Sequence, residues 1–281
     1  MASIRYKTFI YCFLFFAVVP MASYGARPKV GLALGGGGAK GAATIGVLKV
    51  IDELGIKVDY VAGTSIGAII GGLYASGVSP ATIEELFLSQ EFRMILNGRG
   101  MENQLEELLK QYGCSQLCDT RIPFRCVAVD YDTMKEVVLS SGSLPKAIRS
   151  SMSIPIAYKP VEWNGKRLVD GGLLNNLPVD IVKDMGADIV IAVDLQQGED
   201  VEFGVSIRRL KGLGGLISWF FKRPDIDRYR MNKSMADIYI HPDLRGFNVA
   251  SFDRYYSEIM IERGYDEAKS MWDKLMQLRN Y

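Results

Sequence analysis

Short apolar runs rich in valine and isoleucine alternate along this chain with longer stretches in which apolar residues recur every three or four positions. Residues 29–34 form the first run, a buried strand closed by a glycine cluster. Within 39–54, Val47, Val50, Ile51 and Leu54 share one face while Lys49, Asp52 and Glu53 take the other, which predicts an amphipathic helix. Residues 59–62 read as a second strand and 66–76 as a second, mostly apolar helix. Further strands are predicted at 125–129, 136–139, 167–169, 188–193 and 237–240. Ser143 is placed to cap a helix that carries Pro145 in its first turn and stops before Pro155. Residues 251–278 are helical, with a break expected near Gly264. Alternating strands and helices mark an α/β protein with a largely parallel sheet. No repeat or low-complexity linker divides the chain, so residues 26–281 are expected to form one domain.

Three glycine-bearing segments sit at the ends of predicted strands. Gly63-Thr64-Ser65-Ile66-Gly67 is a G-x-S-x-G pattern between a strand and a helix. A tight turn there lifts the serine hydroxyl to the top of the sheet, and the flanking glycines relieve crowding. The helix that follows points its positive end at the same place. Gly35-Gly36-Gly37-Gly38-Ala39-Lys40-Gly41 lets backbone N–H groups approach an anion, either a phosphate or the oxyanion of acyl transfer. Gly36, Gly38 and Gly41 also satisfy G-x-G-x-x-G, so a phosphate- or nucleotide-binding module is the alternative. Against it, the second strand ends in the serine turn and not in the acidic residue that would bind ribose. A P-loop fails because Gly41 and Ala42 follow Lys40 where Ser or Thr is needed.

A serine nucleophile needs a proton acceptor. The one histidine, His241, lies in Ile-His-Pro-Asp near the end of a late strand and reads as a strand-edge residue held by Pro242. Asp170 is the better candidate, because it ends a strand and enters the Gly171-Gly172 turn, which brings a carboxylate close to other backbone. Taken alone, Asp-Gly-Gly is an ordinary turn.

Together, in this order and separation, the three segments resemble the patatin-like phospholipase family over residues 29–195, and the stretch to residue 73 is especially like its bacterial secreted members. The resemblance implies a three-layer α/β/α fold with a mostly parallel central sheet. It also implies hydrolysis of acyl esters in phospholipids or lysophospholipids by a Ser–Asp dyad, without metal or cofactor. Carried over, Ser65 attacks the ester carbonyl and Asp170 takes its proton. The oxyanion hole comes from Gly36, Gly37 and Gly38, with the amides of Gly37 and Gly38 as donors, helped by Ile66. Lys40, Gly41, Gly63, Gly67, Gly171 and Gly172 support the motifs, Lys40 by adding positive field. A carboxylate, with a reference pKa near 3.9 against about 6.5 for imidazole, is the weaker base, and partial burial would improve it. Some bacterial members continue into an outer-membrane barrel; none is read here, so a soluble or peripherally bound enzyme is expected.

Composition narrows the rest. The chain has 281 residues, 48% hydrophobic and 23% charged, enough for a substantial core, and a net charge of +1 gives no reason to expect nucleic acid. Arg5 and Lys7, an apolar run over 9–19, and Ser23, Gly25 and Ala26 have the three parts of a secretory signal peptide over residues 1–25. That predicts export, to a periplasm, the outer-membrane periphery or the medium. Cys114 and Cys118 would be free to pair in such a compartment, whereas Cys126 reads as buried strand packing. Three cysteines and one distant histidine do not make a zinc site. Finally, Trp219, Phe220 and Phe221, flanked by Arg208, Arg209, Lys211, Lys222 and Arg223, suit a membrane interface. The same stretch would equally serve as a core or dimer-contact helix, which leaves a homodimer open.

Overall fold

The computed structural model describes residues 27–96, 100–155, 157–197, 226–250 and 252–279. The leader at 1–25 and the aromatic segment at 207–223 lie outside these residues. Eight strands, β1 (Val30–Leu34), β2 (Tyr60–Thr64), β3 (Phe124–Asp130), β4 (Lys135–Leu139), β5 (Val161–Trp163), β6 (Lys166–Asp170), β7 (Ile189–Val193) and β8 (Ile238–Ile240), form one sheet. Its order is β5-β6-β3-β2-β1-β7-β8, with β4 paired to β3. From β3 across β2, β1 and β7 to β8 every pairing is parallel; β4 and β6 run antiparallel to β3.

The parallel part of the sheet is buried on both sides, and the period-two alternation of a strand assigns its residues to two cores. Val30, Leu32, Leu34, Val61, Ile191 and Val193 face a large core that includes side chains of helices α1 (Ala42–Glu53) and α2 (Ile66–Ala75). Ala33, Ala62, Val127, Val190 and Ala192 face a smaller one that includes residues of helix 179–184 and Tyr229 of helix 226–235. Small residues on that second face bring the thin layer close: a Cβ on Gly31 would lie 2.1 Å from Val182 Cγ1. This is the expected α/β/α sandwich with a mostly parallel sheet.

Helix Arg254–Ser270 runs unbroken through Gly264, and the interruption falls at Met271, before helix Trp272–Arg279. The expected break at Gly264 is therefore corrected. A Cβ there would stand 1.9 Å from the Ala43 carbonyl oxygen, and one on Gly46 would stand 2.0 Å from that of Ile261. The two glycines let α1 and this helix cross nearly backbone to backbone, and that packing outweighs glycine's poor helix propensity. The Ser143 cap forms as expected, its hydroxyl accepting from Lys146 N, and the helix spans Leu144–Ser151. Helices at Pro80–Leu88, Gln90–Leu96, Met101–Lys110, Val179–Asp184 and Ile226–Met235 were not legible in the apolar pattern. Strand β5 was also missed, although its turn carries a signal. Asn164 and Gly165 both have positive φ, 47° and 76°, as an Asn-Gly hairpin turn requires.

Candidate active site

β2 ends at Thr64 and α2 begins at Ile66, so Ser65 alone makes the corner, with φ 56° and ψ −123°. A non-glycine residue at positive φ is strained and must be held by its surroundings. Ser65 N donates to Ser151 Oγ at 3.0 Å, and Ser65 O accepts from Ala68 N at 2.8 Å. Neither flanking glycine has room for a methyl group. A Cβ on Gly63 would lie 2.3 Å from Gly67 O, and one on Gly67 would lie 2.2 Å from Leu34 O.

Asp170 reaches Ser65 through strand register. A strand has two edges, and β4 takes one edge of β3 over Cys126–Asp130. The other edge is shared end to end: β2 pairs with Phe124–Val127 and β6 with Ala128–Asp130. The two strands run toward each other there, so Thr64 is opposite Val127 while Asp170 is opposite the next residue, Ala128. Their carboxyl ends meet, and Ser65 Oγ donates to Asp170 Oδ2 at 2.7 Å. Asp170 Oδ1 accepts from Gly172 N at 2.7 Å, and Asp170 N donates to Ser153 O at 3.0 Å. Gly171 allows the turn to close, since a Cβ there would be 2.3 Å from Val127 O. Burial pushes the Asp170 carboxyl up to about 6, although the hydrogen bonds from Ser65 and Gly172 pull the other way.

The glycine loop after β1 lies against the same corner. A Cβ on Gly36 would be 3.1 Å from Ser65 Cβ, and one on Gly41 would be 2.3 Å from Ile66 Cγ1. Gly38 has φ +57°, and the Val249 carbonyl is 2.2 Å from where its Cβ would be. Gly36, placed in the oxyanion loop, is not a free donor, because its N–H is occupied by the Asn176 carbonyl at 3.1 Å. Gly37 and Gly38 remain the loop's candidate donors. Ile66 is the first residue of α2, so its N–H has no carbonyl within the helix. Lys40 is wholly buried in the turn Gly38–Gly41.

The structure keeps His241 away from this group. It follows β8, three strands from β2, and its Nδ1 lies 3.2 Å from the Asp194 carbonyl oxygen. Cys114, Cys118 and Cys126 are all free thiols, so the pairing open to Cys114 and Cys118 is not made. Burial holds the Cys126 thiol far above its ordinary pKa. Among the described residues no His/Cys/Asp/Glu cluster is arranged to hold a metal ion, and no helix is long and apolar enough to cross a membrane.

Several residues at the site carried no motif. Ser151 receives the Ser65 amide, Met152 Sδ lies 3.5 Å from Ser65 Oγ, and Ser153 holds the Asp170 amide. Asn175 O accepts the Thr64 hydroxyl at 2.8 Å, and Asn176 Nδ2 donates to Gly36 O at 3.2 Å. The one available hint was an Asn-Asn pair shortly after Asp170-Gly171-Gly172; helix 144–151 hid the serines.

The model of the patatin-like phospholipase family matches residues 32–122 and 102–183, together more than half the chain. The lysophospholipase nte1 of Aspergillus fumigatus is 30% identical over 280 residues, covering 88% of this chain and 18% of that protein. The neuropathy target esterase sws of Drosophila melanogaster is 34% identical over 192 residues, 62% of this chain and 13% of its own length. This chain thus spans less than a fifth of either relative, and both are eukaryotic. Two solved structures share the fold: VipD from Legionella pneumophila (TM-score 0.54, 16% identity, 89% of this chain and 67% of that one) and the type III effector ExoU (TM-score 0.51, 14% identity, 89% and 54%). With the serine corner, the glycine loop and the Asp-Gly-Gly turn gathered at one end of the sheet, and the family model covering all three, this chain belongs to the patatin-like phospholipase family.

Proposed function

We propose that this protein is a serine lipid acyl hydrolase in which Ser65 is the nucleophile and Asp170 its general base. The observation that carries the reading is the 2.7 Å hydrogen bond from Ser65 Oγ to a buried carboxylate. Asp170 takes the hydroxyl proton as Oγ bonds to the ester carbonyl carbon. The tetrahedral oxyanion is held by the amides of Gly37 and Gly38, aided by Ile66, each well-aimed donor contributing on the order of 3 kcal/mol. Collapse expels the alcohol with the proton from Asp170, and water then frees the acyl group by the same steps. The nucleotide-module alternative is disfavoured because Gly36 is packed against Ser65. A serine-directed fluorophosphonate should label the native protein and not Ser65→Ala.

The substrate class we propose is a phospholipid or lysophospholipid, and Arg149 gives it local support. This half-buried guanidinium donates to Ser153 Oγ at 2.5 Å and lies over the Tyr158 ring at 4.9 Å. Glu102 acts on its charge from a distance without a direct hydrogen bond, and its anchor Ser153 also holds the Asp170 amide. A cation so placed suits a headgroup phosphate. Arg149→Gln should lower kcat/KM for a lysophospholipid roughly tenfold or more while sparing a neutral monoacylglycerol. Equal losses on both substrates would remove Arg149 from headgroup recognition.

Export through residues 1–25, as in the family's bacterial secreted members, and bilayer docking through Trp219, Phe220 and Phe221 are proposed on the sequence alone. A mature N-terminus near residue 26 and weaker liposome binding by the triple serine variant are the expected results.

A further inference from the structure

Asn176 joins the two halves of the site, and neither the mechanism above nor any motif gives it a part. Its backbone carbonyl accepts the Gly36 N–H at 3.1 Å, and its side-chain Nδ2 donates to the Gly36 carbonyl at 3.2 Å. One buried residue therefore holds Gly36 by both of its backbone polar groups. Its Oδ1 is close enough to fill the space where Cβ atoms on Gly36 and Gly172 would stand, 2.4 Å and 2.8 Å away. The same two positions are bounded by the catalytic pair as well, with Ser65 Cβ 3.1 Å from the Gly36 position and Asp170 Oδ1 3.0 Å from the Gly172 position. The amide is a crossbar between the glycine loop and the carboxylate turn.

A trans peptide is rigid and planar, so its C=O and the N–H of the next residue point in opposite directions. Fixing the Gly36 carbonyl on Asn176 therefore fixes the Gly37 N–H to point away from Asn176. A glycine-glycine peptide has little else to hold its plane, because neither residue carries a side chain and both tolerate wide backbone angles. We propose that Asn176 is a positioning residue whose side-chain amide sets the Gly36–Gly37 peptide so that the Gly37 N–H is aimed at the ester oxyanion. This rests on the serine-hydrolase reading. It adds that donor aim in this loop is set by a residue far along the chain.

Sulfur is a poor hydrogen-bond acceptor, so exchanging the carbonyl oxygen of an ester for sulfur costs most where oxyanion donors are well aimed. Asn176→Ala should lower kcat on a soluble short-chain ester roughly 10- to 100-fold with KM nearly unchanged. The rate ratio between that ester and its thionoester should shrink by a similar factor. Asn176→Leu keeps a similar branched shape and removes the donor without adding a carboxyl, so it carries the test if the alanine variant fails to fold. Any change it makes to Asp170 acts on both substrates alike and leaves the ratio untouched. Unchanged kcat, or a loss of kcat with the ratio preserved, overturns the proposal. If Ser65→Ala, assayed in parallel, turns over like the native protein, the hydrolase reading itself has failed.

Discussion

Asp170→Asn should lose ester turnover by roughly 10⁴-fold or more and yet unfold at higher temperature than the native protein at pH 8. The activity loss follows from geometry: an amide still fits beside Ser65 Oγ but takes no proton from it. The stability gain follows from burial. The Asp170 carboxyl stands near 6 in the folded chain against an ordinary 3.8. Its folded pKa is raised, so the folded state holds a proton that the unfolded chain releases. The group is neutral and without cost below about pH 4, and its cost grows as pH rises to 6. Above that it reaches about 3 kcal/mol. Asparagine avoids this cost, so the gain should be largest above pH 7 and vanish toward pH 4 in denaturant titrations at several pH values. Ser65→Ala should be as inactive, while His241→Ala should stay active. A His241→Ala enzyme as inactive as Ser65→Ala would replace the dyad with a triad.

Turnover should rise with pH through a single ionisation near 6, falling about tenfold per unit below it, so that activity at pH 4 is roughly a hundredth of the plateau. In the proposed mechanism Asp170 accepts a proton only when ionised, and the value near 6 comes first from its burial. Measured as kcat/KM on an uncharged soluble ester, the profile reports the free enzyme's carboxyl. A midpoint at 4 or lower would mean that the group accepting the proton is solvated, which Asp170 is not. The buried carboxylate would thus destabilise the fold under the conditions in which the proposed mechanism needs it, a strain of the kind active sites accumulate.

The corner at Ser65 was legible in the sequence because it is a local event. A strand, one residue at positive φ and a helix need glycines at fixed offsets, and Gly63 and Gly67 stand where backbone oxygens leave no room for a side chain. The strands β1 and β7 were legible for a similar reason, since sheets buried on both faces leave continuous apolar runs. Where local rules met tertiary packing they failed in instructive places. Gly264 looked like a helix break and is a helix crossing; Gly36, grouped with the oxyanion loop, has its N–H taken by Asn176, a partner 140 positions away. The serines of the 144–151 helix and the turn after it were invisible, since nothing in their own neighbourhood says that residue 151 faces residue 65.

What the sequence determined by itself is the set of groups and their local conformations: a strained serine, a glycine loop at the end of the first strand, a carboxylate entering a glycine turn. Residues a few positions apart constrain one another through backbone sterics, and those constraints are written in residue type. Only the tertiary structure decided that two of these groups share a proton. They lie 105 positions apart, and they meet because β2 and β6 run head to head along one edge of β3. Register of that kind is set by the summed packing of both sheet faces, a quantity that no single stretch of the chain contains.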